Sequence, residues 1–272
     1  MRSDRPKRLD SMRGLIAAGC TVHKPWPVTR PTAKSLLPVF DKPLIYYPLS
    51  VLIEMGIRDV LVISVPSGVP QLQRMLGDGG QWGLRFSYAL QRASRRVIDA
   101  LACAEEFVGN SPCSLIFGDR VFLETGFSGR FTDSSGAFRG AHVITGLPDA
   151  EIPSEAATGL AVYDSTVFEK VRAVRVSDAG IVGLHRLYRE EGRLRVDALA
   201  KDHGTWLNVD TPELLREASN RIEDVQGRSK GKLGCPEEVC WRRGYIDDEQ
   251  LEVLSDLVPC REYGTYLRSL LP

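Results

Sequence analysis

Three short runs, "GLIAAG" at 14–19, "DVLVIS" at 59–64 and "CSLIFGD" at 113–119, are apolar almost throughout. A strand with one wet face alternates apolar and polar residues. A run with little alternation suits a strand covered on both faces, as in a parallel sheet held between helices. Helical strings separate the runs: "KPLIYYPLSVLIEMG" at 42–56, closed by Gly56, "VPQLQRMLGDG" at 69–79 and "SRRVIDALACAEEFVG" at 94–109, while "LRFSYALQ" at 84–91 alternates and reads as a further strand. This alternation of strand and helix predicts an α/β fold, a Rossmann-like doubly wound sheet. Ligands of such sheets lie outside the carboxyl ends of the strands, which puts the turn at 19–24 and the Gly118-Asp119 pair on one rim.

Further along, "GAHVITGL" at 140–147 and "TGLAVYD" at 158–164 read as strands joined by a polar stretch. "TVFEKV", "IVGLHRLYREEG" and "LRVDALA" then read as helix, helix and strand. From residue 212 the spacing is helical through "PELLREASNRIEDV", "CPEEVCWRRG", "DDEQLEVLSDLV" and "EYGTYLRSLL". The 272 residues suit one large α/β unit with an appendage: a disordered extension over 1–12, an α/β domain over 13–225 and a helical C-terminal region over 226–272.

Lysine plus arginine equals aspartate plus glutamate at 35 each, a balance that argues against nucleic acid or an anionic membrane as partner. No apolar run reaches the length of a membrane span, and "MRSDRPKRLDS" lacks the apolar region of a signal peptide, so the expected location is cytoplasmic. The six cysteines are scattered; Cys235 and Cys240 are the nearest pair, with no second pair or histidine at zinc spacing, and read as structural thiols.

Long strings carry a family resemblance: "KSLLPVFDKPLIYYPLSVLIEMGIRDVLVIS" at 34–64, "LGDGGQWGLRFSYALQ" at 76–91, "GD" at 118–119, "TGLAVYD" at 158–164 and the tail at 235–271. Together they resemble glucose-1-phosphate thymidylyltransferase, of the bacterial sugar-nucleotide pyrophosphorylase (nucleotidylyltransferase) family. The resemblance implies that a sugar 1-phosphate oxygen attacks the α-phosphorus of a nucleoside triphosphate and releases pyrophosphate. No covalent intermediate is needed, and the protein positions the reactants and neutralises charge with backbone amides, basic side chains and Mg²⁺. It also implies a homo-oligomer supported by the C-terminal helices.

Several positions depart from the pattern. Where the family has G-G-x-G-T-R, this chain reads Gly19-Cys20-Thr21-Val22-His23-Lys24. Val22 is β-branched and poorly suited to a positive φ, and its side chain claims phosphate space. Lys24 keeps the charge but loses the planar fork of arginine. His23 reads either as a general base or as a surface or capping histidine.

Lys34 matches the lysine of K-x-L-L-P, which the resemblance assigns to phosphate neutralisation; the alternative is a solvated lysine before a helix. Gln91 matches the glutamine that reads the pyrimidine edge. Arg96 stands where a glycine should lie close to base and sugar, and should either fill the nucleotide pocket or turn outward. The implied Mg²⁺ carboxylates fall on Asp119 and on Asn208, an amide where the second carboxylate belongs. Asp210 is the less favoured substitute, and Thr211 the closer cap for the helix that follows. The E-K-P lysine has no counterpart, so the sugar-binding part is shortened around 145–158, and Asp178 loosely replaces a glutamate.

Two expectations follow. The first is a thymidylyltransferase-like protein that has lost efficient transfer and binds a nucleotide, a sugar nucleotide or a partner protein of a biosynthetic pathway. The second is an active transferase with a reshaped pocket and a different phosphorylated substrate, using Mg²⁺.

Overall fold

A computed structural model describes residues 12–19, 33–91, 96–123, 126–127, 131, 138–145, 158–177, 179–198, 206–229, 231–258 and 260–272. In chain order the elements begin with β1 (Arg13–Ala17), β2 (Pro38–Val39), β3 (Lys42–Pro43), α1 (Tyr46–Glu54), β4 (Asp59–Ser64), α2 (Val69–Leu76), β5 (Arg85–Leu90), α3 (Val97–Ala102), α4 (Glu105–Val108), β6 (Cys113–Phe117) and β7 (Arg120–Phe122). They continue with β8 (Ala141–Thr145), β9 (Thr158–Tyr163), α5 (Val167–Ser177), α6 (Gly180–Glu190), β10 (Leu194–Ala198), β11 (Trp206–Asn208), α7 (Pro212–Arg228), α8 (Pro236–Arg242), α9 (Asp248–Leu257) and α10 (Arg261–Arg268).

Seven strands form one sheet in the order β10-β8-β9-β6-β1-β4-β5. β5, β4, β1 and β6 run parallel, and β9 lies antiparallel to both β6 and β8, so the sheet is mixed. The uninterrupted apolar runs follow from burial on both faces. Side chains alternate across a strand. In β1, Ile16 enters the cluster beneath α1, with Val60, Val62 and Ile116. Leu15 and Ala17 enter the opposite cluster, with Leu61, Ile63, Leu115 and the apolar faces of α3, α5 and α6.

The predicted helix at 42–56 starts only at Tyr46. Pro38, Val39, Lys42 and Pro43 pair as a small hairpin, and Phe40 takes a left-handed φ of 57° at its turn. The helix expected over 94–109 divides into α3 and α4. Cys235, Cys240, Ile246, Leu251, Leu254, Tyr263 and Leu267 of the C-terminal helices share one buried cluster with Leu49, Leu52, Ile53 and Trp82. Cys235 and Cys240 are buried free thiols. Among the described residues no helix is long and apolar enough to cross a membrane.

Candidate active site

β4 and β5 lie to one side of β1 and β6 to the other, so the strand order reverses between β1 and β6. In an open α/β sheet the carboxyl ends at such a reversal form the ligand-binding crevice. Gly19 and Gly118 stand there, and both are held by close packing. A Cβ on Gly19 would lie 2.8 Å from the backbone nitrogen of Val65, and one on Gly118 would lie 2.9 Å from the Cα of Ala18. The Gly118 amide also donates to the Ala17 carbonyl at 3.0 Å, which fixes the direction of the chain entering Asp119.

A two-stranded antiparallel ribbon completes the rim. β7 pairs with β11 so that Arg120 lies opposite Asn208, Val121 opposite Leu207 and Phe122 opposite Trp206. The Val209 amide donates to the Asp119 carbonyl at 3.1 Å. Asn208 and Asp210, two residues apart in extended chain, therefore meet Asp119 across the ribbon. Lys34 arrives from a single 3-10 turn, tied to the head of α1 by the Ile45 amide donating to the Ser35 carbonyl at 2.8 Å.

These residues form one network. Lys34 Nζ donates to Asp119 Oδ2 at 2.9 Å and to Asp210 Oδ1 at 2.6 Å. Arg120 donates to Asp119 Oδ1 at 2.9 Å and also to Asn208 Oδ1. The Asn208 amide nitrogen donates in turn to Asp210 Oδ2. Burial pushes the Asp210 carboxyl up, but the hydrogen bond and charge of Lys34, the charge of Arg120 and the Asn208 amide together hold it below the ordinary aspartate value. Thr211 caps α7, its hydroxyl accepting from the Leu214 amide at 3.3 Å, which leaves Asp210 to face Lys34.

Gln91 and Arg96 meet in a second group, at the end of β5. The Gln91 amide donates to the Ser64 carbonyl at 2.9 Å, and its buried side chain donates to the Arg96 carbonyl at 2.9 Å. Arg96 has its side chain 42% exposed and pairs with Asp99 at 2.9 Å, and Asp99 also meets Arg175 at 3.1 Å. Cys20, Val22, His23, Lys24 and Asp178, and the segment expected to be shortened, lie outside the described residues except at its ends, Thr145 and Thr158.

Arg120 was not among the residues singled out from sequence. The signal was present: an arginine inside the apolar string "FGDRVF", where a charge persists only if it is paired.

As arranged, the acidic rim has little to offer the Mg²⁺ that the resemblance implies. Its side-chain oxygens are two of Asp119, two of Asp210 and one of Asn208, and each already accepts from Lys34, Arg120 or Asn208. Mg²⁺ needs such oxygens at about 2.0–2.1 Å with close to octahedral geometry. The donor set does not fit it.

Comparisons with known proteins identify the family of the chain. The profile of the family described as Nucleotidyl transferase matches residues 13–155. The glucose-1-phosphate thymidylyltransferase of Neisseria meningitidis is 36% identical over 287 aligned positions, covering 96% of this chain and 99% of the relative. That of Xanthomonas campestris is 35% identical over 285 positions, covering 95% and 96%. Among solved structures, a Bacillus anthracis protein assigned as a glucose-1-phosphate thymidylyltransferase, in complex with a sucrose, superposes with a TM-score of 0.68 at 25% identity, over 82% of this chain and 98% of that one. With a matching family profile and identity sustained over nearly the whole chain, this chain belongs to the nucleotidyl transferase family, among the relatives of glucose-1-phosphate thymidylyltransferase.

Proposed function

We propose that this chain is a thymidylyltransferase-like protein in which nucleotidyl transfer is lost or strongly impaired, and which acts by binding a nucleotide, a sugar nucleotide or a partner protein. The observation that carries this reading is the engagement of Lys34. A lysine poised to neutralise phosphate should present its ammonium to the crevice, whereas here Nζ is shared between Asp119 and Asp210. Among the described residues of the rim, two cations, Lys34 and Arg120, balance two carboxylates, Asp119 and Asp210, which leaves no surplus positive charge in this group for a triphosphate. Asn208 in place of a carboxylate supports the same reading.

An oriented charge contact to a phosphoryl transition state contributes on the order of 3 kcal/mol, and several lost together would remove most of the acceleration. The unit concerned is 13–225, with 226–272 as a helical addition that would support a homo-oligomer, and the setting is a cytoplasmic biosynthetic pathway.

A second reading, an active transferase acting on a different phosphorylated substrate, draws on the convergence of Lys34, Asp119 and Asp210 at the switch point of the sheet. Pyrophosphate release separates the two. With Mg²⁺, dTTP or UTP and a panel of sugar 1-phosphates, the first reading expects no turnover above background; clear turnover would end it. Without turnover, a thermal shift with nucleotides marks a ligand binder, and no shift marks a protein-binding scaffold.

A further inference from the structure

We propose that Arg120 is a built-in cation that stands where the fold family places a divalent metal, so that the rim of Asp119, Asn208 and Asp210 takes up no Mg²⁺. The inference shares this rim with the proposed function.

Arg120 is held on every side. Its side chain is 5% exposed. Its guanidinium lies 5.2 Å from the ring centroid of Phe117 and 5.3 Å from that of Trp206, so two aromatic rings contact it. Its stem passes Gly159 so closely that a Cβ there would come within 2.7 Å of Arg120 Cγ. Its Nε is buried without an acceptor among the described residues, a cost that solvent would relieve if the side chain could swing out. A buried charge accepts that cost only when its partners fix it, and here they are the two positions the family assigns to metal: NH1 bonds both Asp119 and Asn208.

Asn208 fits this arrangement and no carboxylate would. Arg120 can only donate and ionised Asp210 can only accept, so the residue between them must accept on one side and donate on the other. An amide does both. A carboxylate at 208 would satisfy Arg120 but repel Asp210. The exchange of aspartate for asparagine thus reads as the complement of an arginine at 120 rather than as simple decay. To enter, a divalent ion would have to displace NH1 from two oxygens and Lys34 from two more, against two fixed positive charges.

The test is titration with Mn²⁺ alone, a paramagnetic stand-in for Mg²⁺, followed by the electron paramagnetic resonance signal of the free ion. Wild type is expected to show no site tighter than millimolar. The double variant Arg120→Gln with Asn208→Asp is expected to bind Mn²⁺ at least tenfold more tightly, and adding Asp119→Asn should abolish the gain. Tight Mn²⁺ binding by wild type that Asp119→Asn removes would overturn the inference, as would a folded double variant with no gain.

If the double variant fails to fold, the wild type decides alone. Its melting temperature should be the same in millimolar Mg²⁺ as in EDTA, and a rise with Mg²⁺ that Asp119→Asn removes would refute the role of Arg120. Failures are distinguishable: pyrophosphate release in EDTA would sink the proposed loss of transfer and leave Arg120 as the resident cation. Mn²⁺ bound at Asp119 without turnover would do the reverse.

Discussion

Replacing Lys34 with methionine keeps most of the side-chain volume and removes the charge that joins Asp119 to Asp210. The ammonium lies 2.9 Å from one carboxylate and 2.6 Å from the other, and all three side chains are enclosed, at 11%, 11% and 10% exposure. One such pair is worth about 4 kcal/mol at 4 Å in an effective dielectric of about 20, part of which desolvation of the lysine offsets. Removing one partner of a buried pair costs about 3–5 kcal/mol, because the charge left behind is uncompensated. Arg120 still holds one oxygen of Asp119 and Asn208 one of Asp210, so the lower end applies, ~3 kcal/mol at pH 7.

The loss should depend on pH. The Asp210 carboxyl sits below its ordinary value of 3.8 in the folded wild type. Its stabilising contribution is therefore present above that value and is lost as pH falls through the lowered folded one. In Lys34→Met burial acts on Asp210 without the lysine to oppose it, so the variant gains relative stability as that carboxylate protonates. The difference between the two proteins should shrink as pH falls from 7 past 4. Urea denaturation with equal slopes at both pH values reads it directly. A difference under ~1 kcal/mol at pH 7, or one that does not change with pH, would refute the account of Lys34 as a charge clamp.

Two further substitutions probe the rim and its neighbour. Gly118→Ala would push a methyl to 2.9 Å from the Cα of Ala18, where both sides are backbone, so a loss of ~2 kcal/mol is expected in chemical denaturation; an effect below ~0.5 kcal/mol would show that the ends of β1 and β6 part easily. Arg96→Ala should cost only ~0.5 kcal/mol, because its pair with Asp99 is half-exposed and Arg175 remains as a second partner; a loss above ~1.5 kcal/mol, or a gain in nucleotide-induced thermal shift, would mean that Arg96 fills the pocket after all.

The strands buried on both faces were the easiest to read, and β4 has the bounds its string predicted. The two-residue β2 and β3 and the three-residue β7 and β11 were missed, since so short a run carries no period. The start of α1 was placed four residues early because Lys42 and Pro43 are taken by a hairpin that apolar spacing does not announce. Lys34, Asp119, Asn208 and Asp210 could all be named from their strings. Their mutual contacts could not, because they depend on the register of Arg120 against Asn208, a pairing across 88 positions of chain. Asp210 was ranked low for the same reason: sequence placed it beside a helix start, and only the ribbon turns it toward Lys34.

The shared core of α1 with α8, α9 and α10 bears on how the protein is made. Leu49, Leu52, Ile53 and Trp82 are synthesised early, yet part of their cover comes from Cys240, Leu251, Leu254 and Leu267, near the end of the chain. While the ribosome is still working, that apolar face of α1 has no partner from the tail, and no local pairing can substitute for it. Of these helices it is α8 that packs directly against α1, so a chain halted short of α8 leaves that face of α1 without its cover from the tail.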